Sequence, residues 1–397
     1  MNFSANLTVG NGSGQCHSAY LVSSVADAEA YEYGQAERTL RTVVMPLILA
    51  LGLAGNFAFI FVLWRVTWMR TTLNFFLTNL AVADIVMLSV SVMEKVAGYL
   101  ASPIFVDQYF LGAAGCVLVP LVQDVCYFAS VSLVTLVTLE RYYATCHPHV
   151  HRERSTSARP VRLVATVWLL SLGLACTIIP SASVFYLICL TWPPLDRYKN
   201  YPDVMGLCLS VDLHSDTKPA KVYADIIHCV PFTVAMFINV VFFSLIVRAL
   251  NSMVARAQRS GFSDRSQHIR DRVSRMLVIN GIVFFLCLAP RQITLICFLV
   301  SPDDAEKGDF VWLQVCRVLV YINSAANPVV YNVTNVRYRK AFHYAFTTRR
   351  GHSQLRNYVT HRPSSNMEMN NRGNTGTRAT SNAHTSTQPA RTVPSTF

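Results

Sequence analysis

Between Cys116 and Tyr142 the chain reads CVLVPLVQDVCYFASVSLVTLVTLERY, an apolar run with a cysteine at one end and Glu140-Arg141-Tyr142 at the other. As a helix, Cys116 to Arg141 spans about 37 Å, enough to cross a hydrocarbon layer of ~30 Å. Polar residues inside the run are few: Gln123, Asp124, Ser130, Ser132, Thr135 and Thr138. In lipid each needs a partner and a reason. The stretch therefore predicts a membrane-spanning rod with a polar cluster near its middle and a charge pair at one surface.

Six further apolar blocks share this character: Val43–Trp64, Leu73–Leu100, Val161–Leu190, Val222–Val247, Met276–Val300 and Phe310–Val333. With Cys116–Leu139 they predict an all-α membrane protein, a bundle of seven transmembrane helices over 43–334. Only 14% of residues are charged, against about 25% in soluble domains. Proline recurs inside the blocks (Pro46, Pro120, Pro180, Pro231, Pro290, Pro328), as kinked membrane helices allow. Met1–Val9 has no basic and apolar signal-peptide pattern, so the first span is expected to direct insertion. Eleven cysteines show no metal-ligand spacing, and those within spans read as buried thiols.

Two signals orient the chain. Residues 1–42 carry three N-x-S/T sequons, at Asn2, Asn6 and Asn11, which predict a glycosylated extracellular tail. The loops on the opposite side collect Arg65, Arg70, Arg152, Arg159, Arg248, Arg337, Arg339 and Lys340, while the outer loops lean acidic through Asp107, Asp196, Asp203 and Asp212. The positive-inside rule places the amino terminus outside on the same grounds. The net charge of +12 is thus a membrane-topology signal, and no nucleic-acid partner is expected. Residues 335–346 (NVRYRKAFHYAF) mix aromatic and basic side chains, predicting a short amphipathic helix on the inner leaflet lipids. Residues 347–397 are rich in Ser, Thr, Asn and Arg and predict a disordered cytoplasmic tail.

The motif set resembles the rhodopsin-like (class A) G-protein-coupled receptors, at the plasma membrane. It comprises Gly55-Asn56, Asn79 to Asp84 (NLAVAD), Cys116, Glu140-Arg141-Tyr142, Trp168, Pro231, Phe284-x-x-Cys287-x-x-Pro290 and Asn327-Pro328-Val329-Val330-Tyr331. Each motif is short, but their order, one per span, is specific. Within that family Cys316 to Ser324 (CRVLVYINS), with Gln123 and Met276-Leu277, is similar to the thyrotropin-releasing-hormone and neuromedin-type peptide receptors.

The resemblance implies particular roles. Asp84 would hold a sodium ion as an allosteric modulator, with Ser130, Asn323, Ser324 and Asn327 as candidate ligands and Asn56 nearby; an ion-free, water-filled polar knot is the alternative. No other cofactor is implied. Glu140, Arg141, Tyr142 and Tyr331 would form the G-protein switch, Arg141 pairing with Glu140 at rest. Cys116 would pair with Cys208, with Cys16 the alternative partner. The sequence departs from the family at Leu288, where a tryptophan is usual, at Asn239 for a tyrosine, at Tyr109 for a tryptophan and at His149 for an apolar residue.

The candidate ligand-binding residues are Glu94, Gln123, Asp124, Arg291, Gln292, Arg317 and Tyr321, with Lys95 beside Glu94. Intramembrane charges of both signs suit an extracellular peptide, although Glu94 and Lys95 also read as a structural pair. Arg317 needs an acceptor, for which Glu94 or Asp124 would serve within the protein. An amine receptor of the same fold is the alternative, though the usual aspartate position holds Gln123. A transporter would show internal repeats and paired broken helices, which are not seen. No nucleotide loop, zinc cluster or nucleophile elbow supports an enzyme. A heterotrimeric G protein is the implied partner. Tail sites such as Thr375, Thr377, Thr380 and Ser381 suit phosphorylation and arrestin, and Ser395-Thr396-Phe397 suits a PDZ-domain protein.

Overall fold

In a computed structural model, residues 7–8, 16–153, 158–212, 219–260, 265–300 and 310–347 can be described. The sequons at Asn2, Asn6 and Asn11 and the phosphorylatable and PDZ-like tail lie outside them.

Long helices run over Gln35–Arg65, Thr72–Ala101, Gly112–Cys146, Ala158–Ile178, Pro219–Ser260, Arg265–Val300 and Phe310–Thr334. The first six are long and apolar enough to cross a membrane. The seventh is about 37 Å long but carries Gln314, Arg317, Asn323, Ser324, Asn327 and Asn332. The third helix packs against the second, fourth, fifth and sixth, and the seventh returns to the first. Large aromatic and aliphatic side chains fill the interior, among them Phe59, Phe76, Phe128, Leu133 and Phe284. Outward-facing Leu51, Trp64, Leu169, Phe237, Leu286 and Val333 are exposed. An apolar outside of this kind is stable against lipid tails and costly in water.

Two glycines permit close helix contact. A Cβ at Gly52 would fall 2.4 Å from Leu88 Cδ1, and one at Gly281 would fall 2.2 Å from Phe243 Cζ. Local caps set other boundaries: Thr71 accepts from the Asn74 amide at 3.3 Å, and Asn335 accepts from the Arg337 amide at 2.9 Å. The latter opens the short helix Val336–Phe346.

The fourth apolar block, expected as one span over Val161–Leu190, is two elements. The helix gives way to a 3-10 turn, Ile179–Ser181, at Pro180. Val184–Thr191 (VFYLICLT) then forms a strand, β3, as its β-branched and aromatic residues favour. Hydrophobicity alone does not separate a helix end from a buried strand. β1 (Leu7–Thr8), β2 (Ser18–Leu21), β3 and β4 (Val204–Leu209) form one sheet in the order β1-β2-β3-β4. β2 runs parallel to β3, pairing Ser18 with Ile188 and Leu21 with Thr191, and β4 runs antiparallel to β3. Residues 16–42 are therefore structured, and the first long helix starts at Gln35 rather than Val43. There Glu37 and Arg41, one turn apart, form a buried ion pair at 2.7 Å.

Two disulfides fasten this end. Cys116–Cys208 joins the third helix to β4, and Cys16–Cys189 joins the amino-terminal segment to β3. Cys16 thus does not compete for Cys116, and Cys189 is not the buried thiol its apolar block predicts. Beneath the sheet Val22, Tyr31, Ile104, Ile188, Tyr198 and Met205 make a small separate core.

Candidate functional site

Four of the long helices enclose a cavity of about 310 Å³, at the lower end of the ~300–1,000 Å³ usual for ligand pockets. The second helix contributes Met87, Ser91, Glu94 and Lys95, and the third Gln123, Asp124 and Tyr127. Arg291, Thr294 and Leu295 come from the sixth, and Leu313, Cys316, Arg317, Val320 and Tyr321 from the seventh. The spacings of three, four and seven are those of single helix faces, so each helix presents one stripe to a common space.

Six of the seven sequence-predicted ligand residues meet here. Gln292 does not: one step from Arg291 turns it about 100° around the helix. It is buried and its Nε2 donates to Tyr127 Oη at 2.8 Å, while that hydroxyl donates to the His228 carbonyl at 3.2 Å. The sequence reading missed Tyr127, Thr294 and Leu313, although the helical spacing from Asp124, Arg291 and Arg317 points to them.

The charges divide unevenly. Glu94 holds Lys95 at 2.6 Å and accepts from Gln123 at 3.4 Å. Asp124 Oδ1 lies 3.4 Å from His228 Nε2. Arg317 pairs with neither carboxylate. Its Nη1 donates to Gln314 Oε1 at 2.8 Å, because Gln314 lies one turn back on the same helix. Gln314 Nε2 in turn donates to Glu37 Oε1 at 3.2 Å, and Arg41 links Glu37 to the Lys95 carbonyl at 3.3 Å. This chain from the cavity wall to the amino-terminal segment is invisible in a sequence reading that treats residues 1–42 as a glycosylated extracellular tail.

Deeper in the bundle Asp84 is buried and its Oδ2 accepts from Asn327 Nδ2 at 2.6 Å. Its Oδ1 has no hydrogen-bond partner. Ser324 lies beside the same carboxyl, and Ser130 and Asn323 are buried. Asn56 Nδ2 donates to the Gly52 and Ser324 carbonyls. The orphaned carboxylate oxygen among hydroxyl and amide groups is compatible with a hard monovalent cation.

At the far end the Glu140–Arg141 pair expected from the sequence does not form. Glu140 faces Arg159 at 3.8 Å and His151 at 3.6 Å. Adjacent residues on a helix point about 100° apart, so the next segment supplies the cations instead. Arg141 Nε is buried without a hydrogen-bond partner, and the same holds for Tyr331 Oη. The Tyr331 ring packs against Phe59 and Tyr338. Tyr142 bonds His147 through its hydroxyl at 3.1 Å, and its ring meets that of Phe242 at a tilt. Tyr338 donates to Asn74 Oδ1, whose amide nitrogen donates to the Met69 carbonyl.

Comparison with known proteins accords with this arrangement. The model of the 7 transmembrane receptor (rhodopsin family) matches residues 55–331. The thyrotropin-releasing hormone receptor of Gallus gallus is 27% identical over 369 residues, covering 84% of each chain. The neuromedin-U receptor 2 of Mus musculus is 26% identical over 312 residues, covering 76% of this chain and 73% of its own. The human thyrotropin-releasing hormone receptor is 27% identical over 333 residues, 76% of each chain.

Proposed function

This chain belongs to the rhodopsin family of seven-transmembrane receptors, multi-pass membrane proteins and not enzymes, and from that premise we propose that it is a plasma-membrane receptor for an extracellular peptide. In this reading the amino terminus and the four-stranded sheet face outward. The peptide enters the cavity ringed by Glu94, Gln123, Asp124, Arg291, Arg317 and Tyr321, and a heterotrimeric G protein docks at Glu140, Arg141 and Tyr142. The observation that carries it is the cavity itself, a charge-lined space among four helices, one of which the Cys116–Cys208 disulfide fastens to the sheet. The resemblance to two receptors named for peptides supports the ligand class.

The output follows from differential binding. A ligand that prefers one of two helix arrangements shifts the population toward it, and a G protein that prefers the same arrangement is coupled to it. Sodium at Asp84, with Ser130, Asn323, Ser324 and Asn327 around it, opposes that shift if it prefers the resting arrangement. Tyr331, its hydroxyl unpartnered, would rearrange with Arg141 on activation. The helix Val336–Phe346 lies on the inner leaflet, and the tail beyond it recruits arrestin once phosphorylated and a PDZ-domain protein through Ser395-Thr396-Phe397.

The test is to express the receptor in cells and apply a library of neuropeptides and biogenic amines, reading calcium, cyclic AMP and substrate uptake. A G-protein response to a peptide is expected. Response to an amine alone would replace the ligand class, and solute flux without G-protein activation would overturn the receptor reading for a transporter.

A further inference from the structure

Three cationic side chains, Lys95, Arg291 and Arg317, face the cavity with two carboxylates, Glu94 and Asp124. Glu94 is already engaged, held by Lys95 at 2.6 Å and Gln123 at 3.4 Å, while Asp124 Oδ1 lies 3.4 Å from His228 Nε2. Among the described residues Arg317 has only the neutral Gln314 amide. Arg291 makes no hydrogen bond and no ion pair among the described residues, although its charge reaches the carboxylates of Asp124 and Asp225 as well as Tyr127 and Tyr321.

Two guanidiniums open to one low-dielectric space are costly without an anion. A guanidinium also offers a planar fork that fits a carboxylate bidentately. Resting on the peptide-receptor reading, we infer that Arg291 and Arg317 together clamp a carboxylate of the ligand, so that the ligand bears a free carboxyl terminus or an acidic side chain at the end that enters first. Arg291 is then the residue that selects the acid over the matching amide. A neutral carboxamide would accept from the guanidiniums but would leave the excess cationic charge uncompensated. An added amine would meet the repulsion of three cations, Lys95, Arg291 and Arg317, in the same cavity.

The experiment uses the purified full-length receptor in lipid nanodiscs and follows thermal unfolding. Three near-isosteric probes are compared: N-acetylglutamine with its terminal carboxylate, N-acetylglutamate amide with a side-chain carboxylate, and the neutral N-acetylglutamine amide. An acid probe at tenfold its dissociation constant is expected to raise the unfolding temperature by about 2–4 °C, the neutral probe not at all. With the two acids compared at one common concentration, whichever stabilises more identifies the source of the carboxylate. Arg291→Gln and Arg317→Gln are each expected to weaken acid binding by about 10- to 100-fold, with Arg291→Lys in between. Should one variant fail to fold, the other and the wild-type probe series still decide. Equal stabilisation by all three probes, by none, or undiminished acid binding in both glutamine variants overturns the clamp.

Cellular G-protein activation by free-acid and amidated peptide pools separates this from the broader reading. Activation by amidated peptides with no acid preference leaves the peptide receptor standing and removes the clamp. Acid probes that stabilise a receptor no peptide activates leave the clamp and remove the peptide.

Discussion

The two ends of the bundle are held together by different means. At the cavity end two disulfides, a four-stranded sheet and a separate small core fasten residues 16–34 and 184–209 to the helices. At the Arg141 end, among the described residues, the ties are side-chain hydrogen bonds and long ion pairs: Tyr338 to Asn74, Thr145 to Ser274 at 3.2 Å, and Glu140 to Arg159 at 3.8 Å. Buried polar atoms without partners occur at both ends, Arg141 Nε and Tyr331 Oη at this one and Tyr198 Oη, His228 Nδ1 and Gln292 Oε1 at the other. Covalent and ladder-bonded structure resists rearrangement, whereas side-chain hydrogen bonds and long ion pairs exchange partners at little cost. The difference teaches which end is a fixed frame for recognition and which is free to exchange one set of contacts for another.

The largest effect should come from unfastening the cavity end. Cys116→Ser or Cys208→Ser is expected to cost about 2–5 kcal/mol, seen as lost surface expression or ligand binding. The double mutant should be no worse than either single, because one bond is removed in each case. Cys16→Ser and Cys189→Ser should do less, since that bridge holds only the amino-terminal segment. Equal damage from both pairs would show that β2 is as essential to the frame as β4.

At the other end, Asn74→Ala should cost about 1–3 kcal/mol, read as a lower unfolding temperature of the purified receptor. It strips an acceptor from the buried Tyr338 hydroxyl and a donor from the Met69 carbonyl. Tyr338→Phe, which removes both the need and the group, should cost less. An unchanged unfolding temperature in Asn74→Ala would mean that these contacts are dispensable and the end looser still.

Between the ends, sodium is expected to lower agonist affinity several-fold, within the range usual for coupled sites, and Asp84→Asn to abolish that dependence. Agonist binding indifferent to sodium in the unmutated receptor would leave Asp84 as a polar knot. The smallest effect is expected at the outer surface. Arg197 is half exposed where it meets Glu29 and Glu32, and exposed pairs contribute little. Arg197→Gln should leave the unfolding temperature unchanged at physiological salt. A clear drop would add the pair to the devices that fasten the cap.

The sequence by itself determined the seven-helix plan, because long apolar runs have few stable arrangements in lipid. It also placed six cavity residues, since charged and amide groups at helical spacing inside such runs must face one another. Cys116 and Cys208 were legible from the family pattern. What only the tertiary structure decided depends on which way neighbouring side chains turn and which distant segments meet. Gln292 lies beside Arg291 in sequence yet faces Tyr127, and Glu140 lies beside Arg141 yet faces Arg159. Val184–Thr191 is as apolar as a span, and its pairing with β2 and β4 made it a strand. Cys16 and Cys189 are 173 residues apart, and Glu37 reaches Gln314 across the bundle. One residue along a helix is a turn of about 100°, and partners that far apart are chosen by packing, on which local composition is silent.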